Sequence, residues 1–172
     1  MRRRDFIQVG ALGYLGLGLT DYFRLSSVQA AVEKDDTHGN NFNTLEKALL
    51  PEFDPAYATL LEDLHQRGLL ERTLVVLMGE FGRTPKINGD AGRDHWSKVF
   101  TVCLAGAGVR GGQVIGASDA TASEVKEKPI QVEDLLATIY DKLGIDTTKE
   151  YHTPIGRPVK IVNGGKVISE LY

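Results

Sequence analysis

From Thr44 to Arg72, apolar residues recur at three- and four-residue intervals: Leu45, Leu49, Leu50, Phe53, Tyr57, Leu60, Leu61, Leu64 and Leu69. That spacing predicts an amphipathic helix. Asn43 or Thr44 is suited to cap its start. Pro51 and Pro55 predict a division into a short first piece and a longer second one, with Asp54 as the second cap and Gly68 as the stop. Thr73–Met78 is a continuous apolar run rich in β-branched residues. A strand apolar on both faces belongs in the middle of a parallel sheet covered by helices. Val99–Leu104 forms a second such run, and Val114–Gly116 a short third element. Pro129–Leu143 reads as another amphipathic helix, with Glu133 and Asp134 near its positive end and Gly144 at its exit. Residues 157–168 read as a terminal hairpin closed by Asn163-Gly164-Gly165. The alternation of helix and strand indicates the α/β class.

Composition narrows this picture only slightly. The 172 residues are 42% hydrophobic and 25% charged, ordinary for one globular domain. A net charge of −3 provides no basic footprint for nucleic acid. The single cysteine, Cys103, excludes an intrachain disulfide and a cysteine-rich zinc site. Its apolar surroundings, VFTVCLAGAG, predict a buried small hydrophobe.

Residues 1–30 read as an export signal. Arg2, Arg3 and Arg4 precede a glycine-rich apolar stretch from Phe6 to Leu19, and Val28-Gln29-Ala30 offers cleavage after Ala30. Arg3, Arg4 and Phe6 fit the twin-arginine pattern. The stretch is shorter than the roughly 20 residues that span a bilayer. The expected location is therefore periplasmic or otherwise exported, with no stable membrane span after signal removal. The twin-arginine route carries folded proteins, often loaded with a metal or cofactor, so residues 31–172 are a candidate metalloprotein domain.

Three polar clusters could carry chemistry: DDTHGNN from Asp35, GEFGR from Gly79, and GRDHW from Gly92. Histidines mixed with carboxylates suit zinc, manganese or iron, and arginine beside a metal holds an oxyanion through paired N–H donors. Glu80 follows the apolar run 73–78, and ligands bind beyond the carboxyl ends of strands in open α/β sheets. Each cluster also has a structural reading. His38 could be a turn residue and Asp36 a cap, Glu80 and Arg83 an ion pair, and Asp94-His95 a surface pair above Trp96. His65 suits the carboxyl end of a helix, and His152 a structural loop. Gly106, Gly108, Gly111 and Gly112 lack the order and following helix of a dinucleotide loop.

The segments DTHGNN, LLEDLHQRGLLERTLVVLMGEFGRTPKIN, AGRDHW and VCLAGAGVRGGQVIGASDAT resemble the carboxyl-terminal part of the sulfatase-like DUF1501 family, and MRRRDFIQVGALG resembles its twin-arginine leader. The resemblance covers essentially the whole chain. It implies a partial three-layer α/β/α sandwich of the alkaline-phosphatase-like type, truncated at its N-terminal half. It also implies a metal-dependent hydrolase of phosphate or sulfate esters, with a divalent metal such as zinc, manganese or calcium.

By similarity, Asp36 and His38 match the first metal loop, Glu80 the strand-end acid, and His95, with Asp94 beside it, the later ligand. Arg83 would contact the oxyanion. The superfamily more often has Asp-His where this chain has Glu80-Phe81. No nucleophile motif is recognisable, Thr37 and Thr84 being the candidates. Truncation would leave a sheet edge open to self-association and weaken or abolish catalysis. The competing expectations are a non-catalytic binding remnant and a gene fragment of the same family.

Overall fold

The computed structural model describes residues 37–172. Arg3, Arg4, Phe6, the cleavage after Ala30 and the ligand candidate Asp36 lie outside the described residues. The chain divides into two compact units. The first takes the described chain up to Leu69 together with Lys86–Asp94, and the second takes Leu70–Pro85 with His95–Tyr172.

The first unit is built on one helical run. It begins as α1 (Asn41–Thr44), widens to a π-helical turn over Leu45–Leu49, and continues as α2 (Leu50–Gln66). The expected break at Pro55 does not occur: Pro55 lies inside α2, and Asp54 is an ordinary helical residue. The irregularity falls before Pro51 instead. A proline ring crowds the carbonyl four residues back, here Lys47, and just before it the Leu50 N–H closes a wider π turn on Leu45 O. The start also lies earlier than expected, with Asn40 as the N-cap residue and the Asn43 amide donating to Asn40 Oδ1 at 2.7 Å. Gly68 ends the helix as expected, in the left-handed region at φ 66°. The Gly68 and Leu69 N–H groups donate to His65 O and Leu64 O, which satisfies the last carbonyls. Of the predicted apolar stripe, Leu64 is fully buried, whereas Leu50 remains 43% exposed.

In the second unit, β1 (Val75–Met78) pairs antiparallel with β4 (Val102–Ala105), with Val75 opposite Ala105 and Met78 opposite Val102. This corrects the expectation of a central strand in a parallel sheet. A parallel neighbour needs a crossover connection, usually a helix, and between these strands the chain forms only β2 (Gly82–Arg83), β3 (His95–Trp96) and loops. Cys103 sits opposite Leu77 and is exposed, contrary to its expected burial. The four-residue, two-stranded ladder leaves Met78 exposed as well. Val114 is 93% exposed and belongs to no strand. The nearby strand is β5 (Ala117–Ser118), which pairs with β6 (Val125–Glu127). Among the described residues, strands occur as four antiparallel pairs, so the architecture is mixed α and β with small antiparallel sheets. No helix among the described residues is long and apolar enough to cross a membrane.

Helix α3 (Val132–Lys142) falls where the hydrophobic period places it. Gln131 caps it in a reciprocal capping box with Asp134. Its buried face carries Leu135, Ala137 and Thr138, and the chain's last segment buries Val162, Ile168 and Leu171. Two side chains of α3 hold that segment. Asp134 Oδ1 accepts the Lys166 N–H at 2.8 Å, and Thr138 Oγ1 accepts the Ile168 N–H at 3.0 Å while donating to Asp134 O. The hairpin of this region is β7 (Glu150–His152) with β8 (Pro158–Lys160). It turns at Thr153–Gly156, where the Gly156 N–H donates to Thr153 O at 2.8 Å. Asn163-Gly164-Gly165 therefore follows the hairpin and does not close it.

Asp134 is held below the ordinary aspartate value by the Lys166 N–H first and the Gln131 N–H second, against a smaller opposing effect of burial. A depressed folded-state value adds stability above the unfolded value and loses it as pH falls through the folded one. Asp134→Asn is expected to lower the thermal midpoint at neutral pH and flatten its decline on acidification, as read by circular dichroism melts across the acid range. Thr138→Val leaves the buried Ile168 N–H unpaired and is expected to cost about 1–3 kcal/mol, measurable by urea unfolding.

Candidate functional site

The candidate residues fall in both units, and each unit has its own local architecture. In the first, the segment after Thr37 is laced to the loop 86–94 through the main chain. Asn40 N–H donates to Asp90 O at 2.8 Å, Asn41 N–H to Ala91 O at 3.0 Å, and Arg93 N–H to Thr37 O at 3.3 Å. Asn88 organises that loop. Its Oδ1 accepts the Asp90 and Gly92 N–H groups at 3.0 and 2.9 Å, an Asx turn, while its Nδ2 donates outward to His38 O at 2.8 Å and Asp94 Oδ1 at 3.0 Å. One amide thus ties the backbone of one predicted ligand to the carboxylate of another. Gly92 is required by close approach, because a Cβ there would lie 1.7 Å from His38 O. Arg93 crosses the ring of Phe42, with its guanidinium carbon 5.2 Å from the centroid.

In the second unit, β2 and β3 form a two-residue antiparallel ribbon, with Gly82 opposite Trp96 and Arg83 opposite His95. Directly opposed residues of an antiparallel pair project from the same face, so Arg83 and His95 share one. The Phe81 ring joins them, its centroid 4.1 Å from that of His95 and tilted by 38°. On the other face a Cβ on Gly82 would lie 2.2 Å from Val99 O and 3.2 Å from Phe100 Cβ. Glycine is therefore what lets the returning chain close over the ribbon. Trp96 is anchored by its indole N–H to Ser123 O at 2.9 Å, and Lys98 reaches over its ring, 5.5 Å from the centroid, while pairing with Glu124. Glu80 stands at the entry to the ribbon as an exposed side chain.

Within the units, the fold joins His38 to Asp94 through Asn88, and Arg83 to His95 through strand register. Four contributors escaped the sequence reading: Asn88, Phe81 as a ring partner of His95, and Gly82 and Gly92 as close-approach positions. The signal for Asn88 was present, since Asn-Gly-Asp at 88–90 is an Asx-turn sequence. His65 lies in the last turn of α2, as expected, whereas His152, expected in a loop, lies on the exposed strand β7. A shallow apolar groove of about 530 Å³ lined by Phe42, Leu45, Leu50 and Pro55 contains none of the predicted site residues.

Among the described residues, no three His, Cys, Asp or Glu side chains are grouped to hold an ion. Asp36, the first ligand implied by resemblance, lies outside that set. Within either unit the described donors fall short of the three protein ligands of a catalytic zinc site.

The family model described as "Protein of unknown function (DUF1501)" matches residues 24–172. No curated protein and no solved structure matches the chain.

Asn88→Ala removes the turn acceptor and both outward donors, and is expected to cost about 1–3 kcal/mol of stability. Hydrogen exchange at the Asn40, Asn41 and Arg93 amides is expected to accelerate with it. Unchanged exchange at those three amides would show that the loop is held by something other than the Asn88 side chain.

Proposed function

The chain belongs to the DUF1501 family, and we propose that it is a sulfatase-like member that binds a phosphate or sulfate ester at the Arg83–His95 face of the β2–β3 ribbon. The observation that carries this reading is the register that sets Arg83 opposite His95. A guanidinium presents planar, forked N–H donors that match two oxygens of a tetrahedral anion, and it stays charged at any physiological pH. An imidazole beside it adds a further donor within reach of the same anion. Gly82, packed under Val99 and Phe100, fixes the ribbon beneath these two side chains and lowers the ordering cost of binding.

Binding is the part of this reading that the Arg83–His95 register supports. The described residues do not group three metal ligands, so no hydrolytic step is derived from them. Membership in an alkaline-phosphatase-like superfamily with a three-layer sandwich, and export through Arg3 and Arg4, belong to the same proposal. They rest on sequence resemblance.

Calorimetric titration of the full chain with inorganic phosphate and with sulfate tests the reading. A charge-assisted hydrogen bond is worth roughly 1.5–3 kcal/mol, so Arg83→Ala is expected to weaken binding by about 10-fold or more. Arg83→Lys, a point charge without the fork, is expected to fall between. Chromogenic phosphate and sulfate esters are expected to bind competitively with little or no turnover. Equal affinity in the wild type and Arg83→Ala would overturn the assignment of the site, and turnover at enzymatic rates would overturn its non-catalytic character.

A further inference from the structure

We propose that Phe81 is a positioning residue for the anion site, holding the His95 imidazole beside Arg83. This rests on the reading of the Arg83–His95 face as the place where the anion binds. The ribbon places His95 through main-chain register. It contains two residues per strand, and His95 is itself exposed. Any rotamer freedom left to an exposed side chain adds an ordering cost to binding.

The Phe81 ring removes part of that freedom. It is half-buried and lies two residues before Arg83, and its centroid is 4.1 Å from the imidazole centroid at a 38° tilt. Such a contact uses the faces of the two rings. The ring nitrogens of an imidazole lie on its edge, so the stack fixes the plane of His95 without covering the atoms that would meet an oxyanion. Strand register supplies the other constraint, because Arg83 is the residue directly opposite. Phe81 and Arg83 therefore act on His95 from one segment of chain, and Gly82 between them anchors that segment on the opposite face.

The same geometry gives the GEFGR segment a division of labour. Gly82 sets the approach of the backbone, Arg83 supplies charge, and Phe81 orients the neighbouring donor. Phe81 is not a catalytic residue in this account, since its contact is to His95 and not to the bound anion.

The test compares the full chain with Phe81→Leu, which removes the ring, and Phe81→Tyr, which keeps it. Two readouts are taken. The first is the proton chemical shifts of the His95 ring, which an aromatic neighbour displaces by its ring current. The second is the dissociation constant for inorganic phosphate. Without the ring the ordering of His95 falls to the binding step, so Phe81→Leu is expected to weaken phosphate binding by about 3- to 10-fold. It should also return the His95 ring signals toward those of an unstacked histidine. Phe81→Tyr is expected to keep the displaced signals and bind within about 2-fold of wild type. Phe81→Met serves as the ring-free variant should Phe81→Leu fail to fold.

Loss of the displaced signals with wild-type phosphate affinity would overturn the positioning role and leave the anion site standing. Wild-type His95 signals without ring-current displacement would overturn the stack itself. Failure of the wild-type chain to bind phosphate or sulfate would overturn the underlying site, whatever the His95 signals show.

Discussion

The site region of the second unit depends on the closeness with which backbone approaches backbone at Gly82. Val99 O stands 2.2 Å from where a side chain would begin, so no other residue type fits without moving the chain. This contact fixes one face of the β2–β3 ribbon, and the ladder then fixes the other. With only two residues per strand, a slip of one position would carry Arg83 to the opposite face. Trp96, opposite Gly82 and bonded to Ser123 O, opposes such a slip from the partner strand. The first unit repeats the device at Gly92, where His38 O passes as closely and Asn88 supplies the hydrogen bonds that hold the loop in place.

What the sequence made legible was local. The helix ending at Gly68 and the helix over 132–142, with its acidic first turn and Gly144 exit, follow from 3.6-residue periodicity and terminal chemistry within a few residues of each end. Strand pairing is non-local, and there the reading went wrong. An apolar run cannot say whether its neighbour runs parallel or antiparallel. Thr73–Met78 looked like a central strand because every residue in it is apolar or β-branched, yet Met78 is 47% exposed at the end of a short ladder. The hairpin was misplaced by a competition between two turn signals. Thr-Pro-Ile-Gly at 153–156 suits a turn as well as Asn-Gly-Gly at 163–165, and cross-strand pairing of Tyr151 with Val159 decides for the first.

The candidate site shows the same division. The residue types that hold metals (Glu80, Asp94, His95) and oxyanions (Arg83) were visible, but their grouping was not. Arg83 and His95 meet because a ladder puts them opposite each other, and His38 and Asp94 are linked because Asn88 donates to both. Glu80 remains exposed at the ribbon's entry. No threefold set of ligands forms among the described residues. The chemistry that these contacts favour is capture of a tetrahedral anion by a fixed guanidinium, with an imidazole held alongside.

The most direct measurement of that claim is a sulfate titration of the isotopically labelled chain, followed through the arginine Nε–H and backbone amide resonances. The account predicts saturable shifts concentrated at the Arg83 side chain and the amides of Gly82, Arg83 and His95. Shifts that rise without saturation, or that spread evenly over the chain's lysines and arginines, would contradict it.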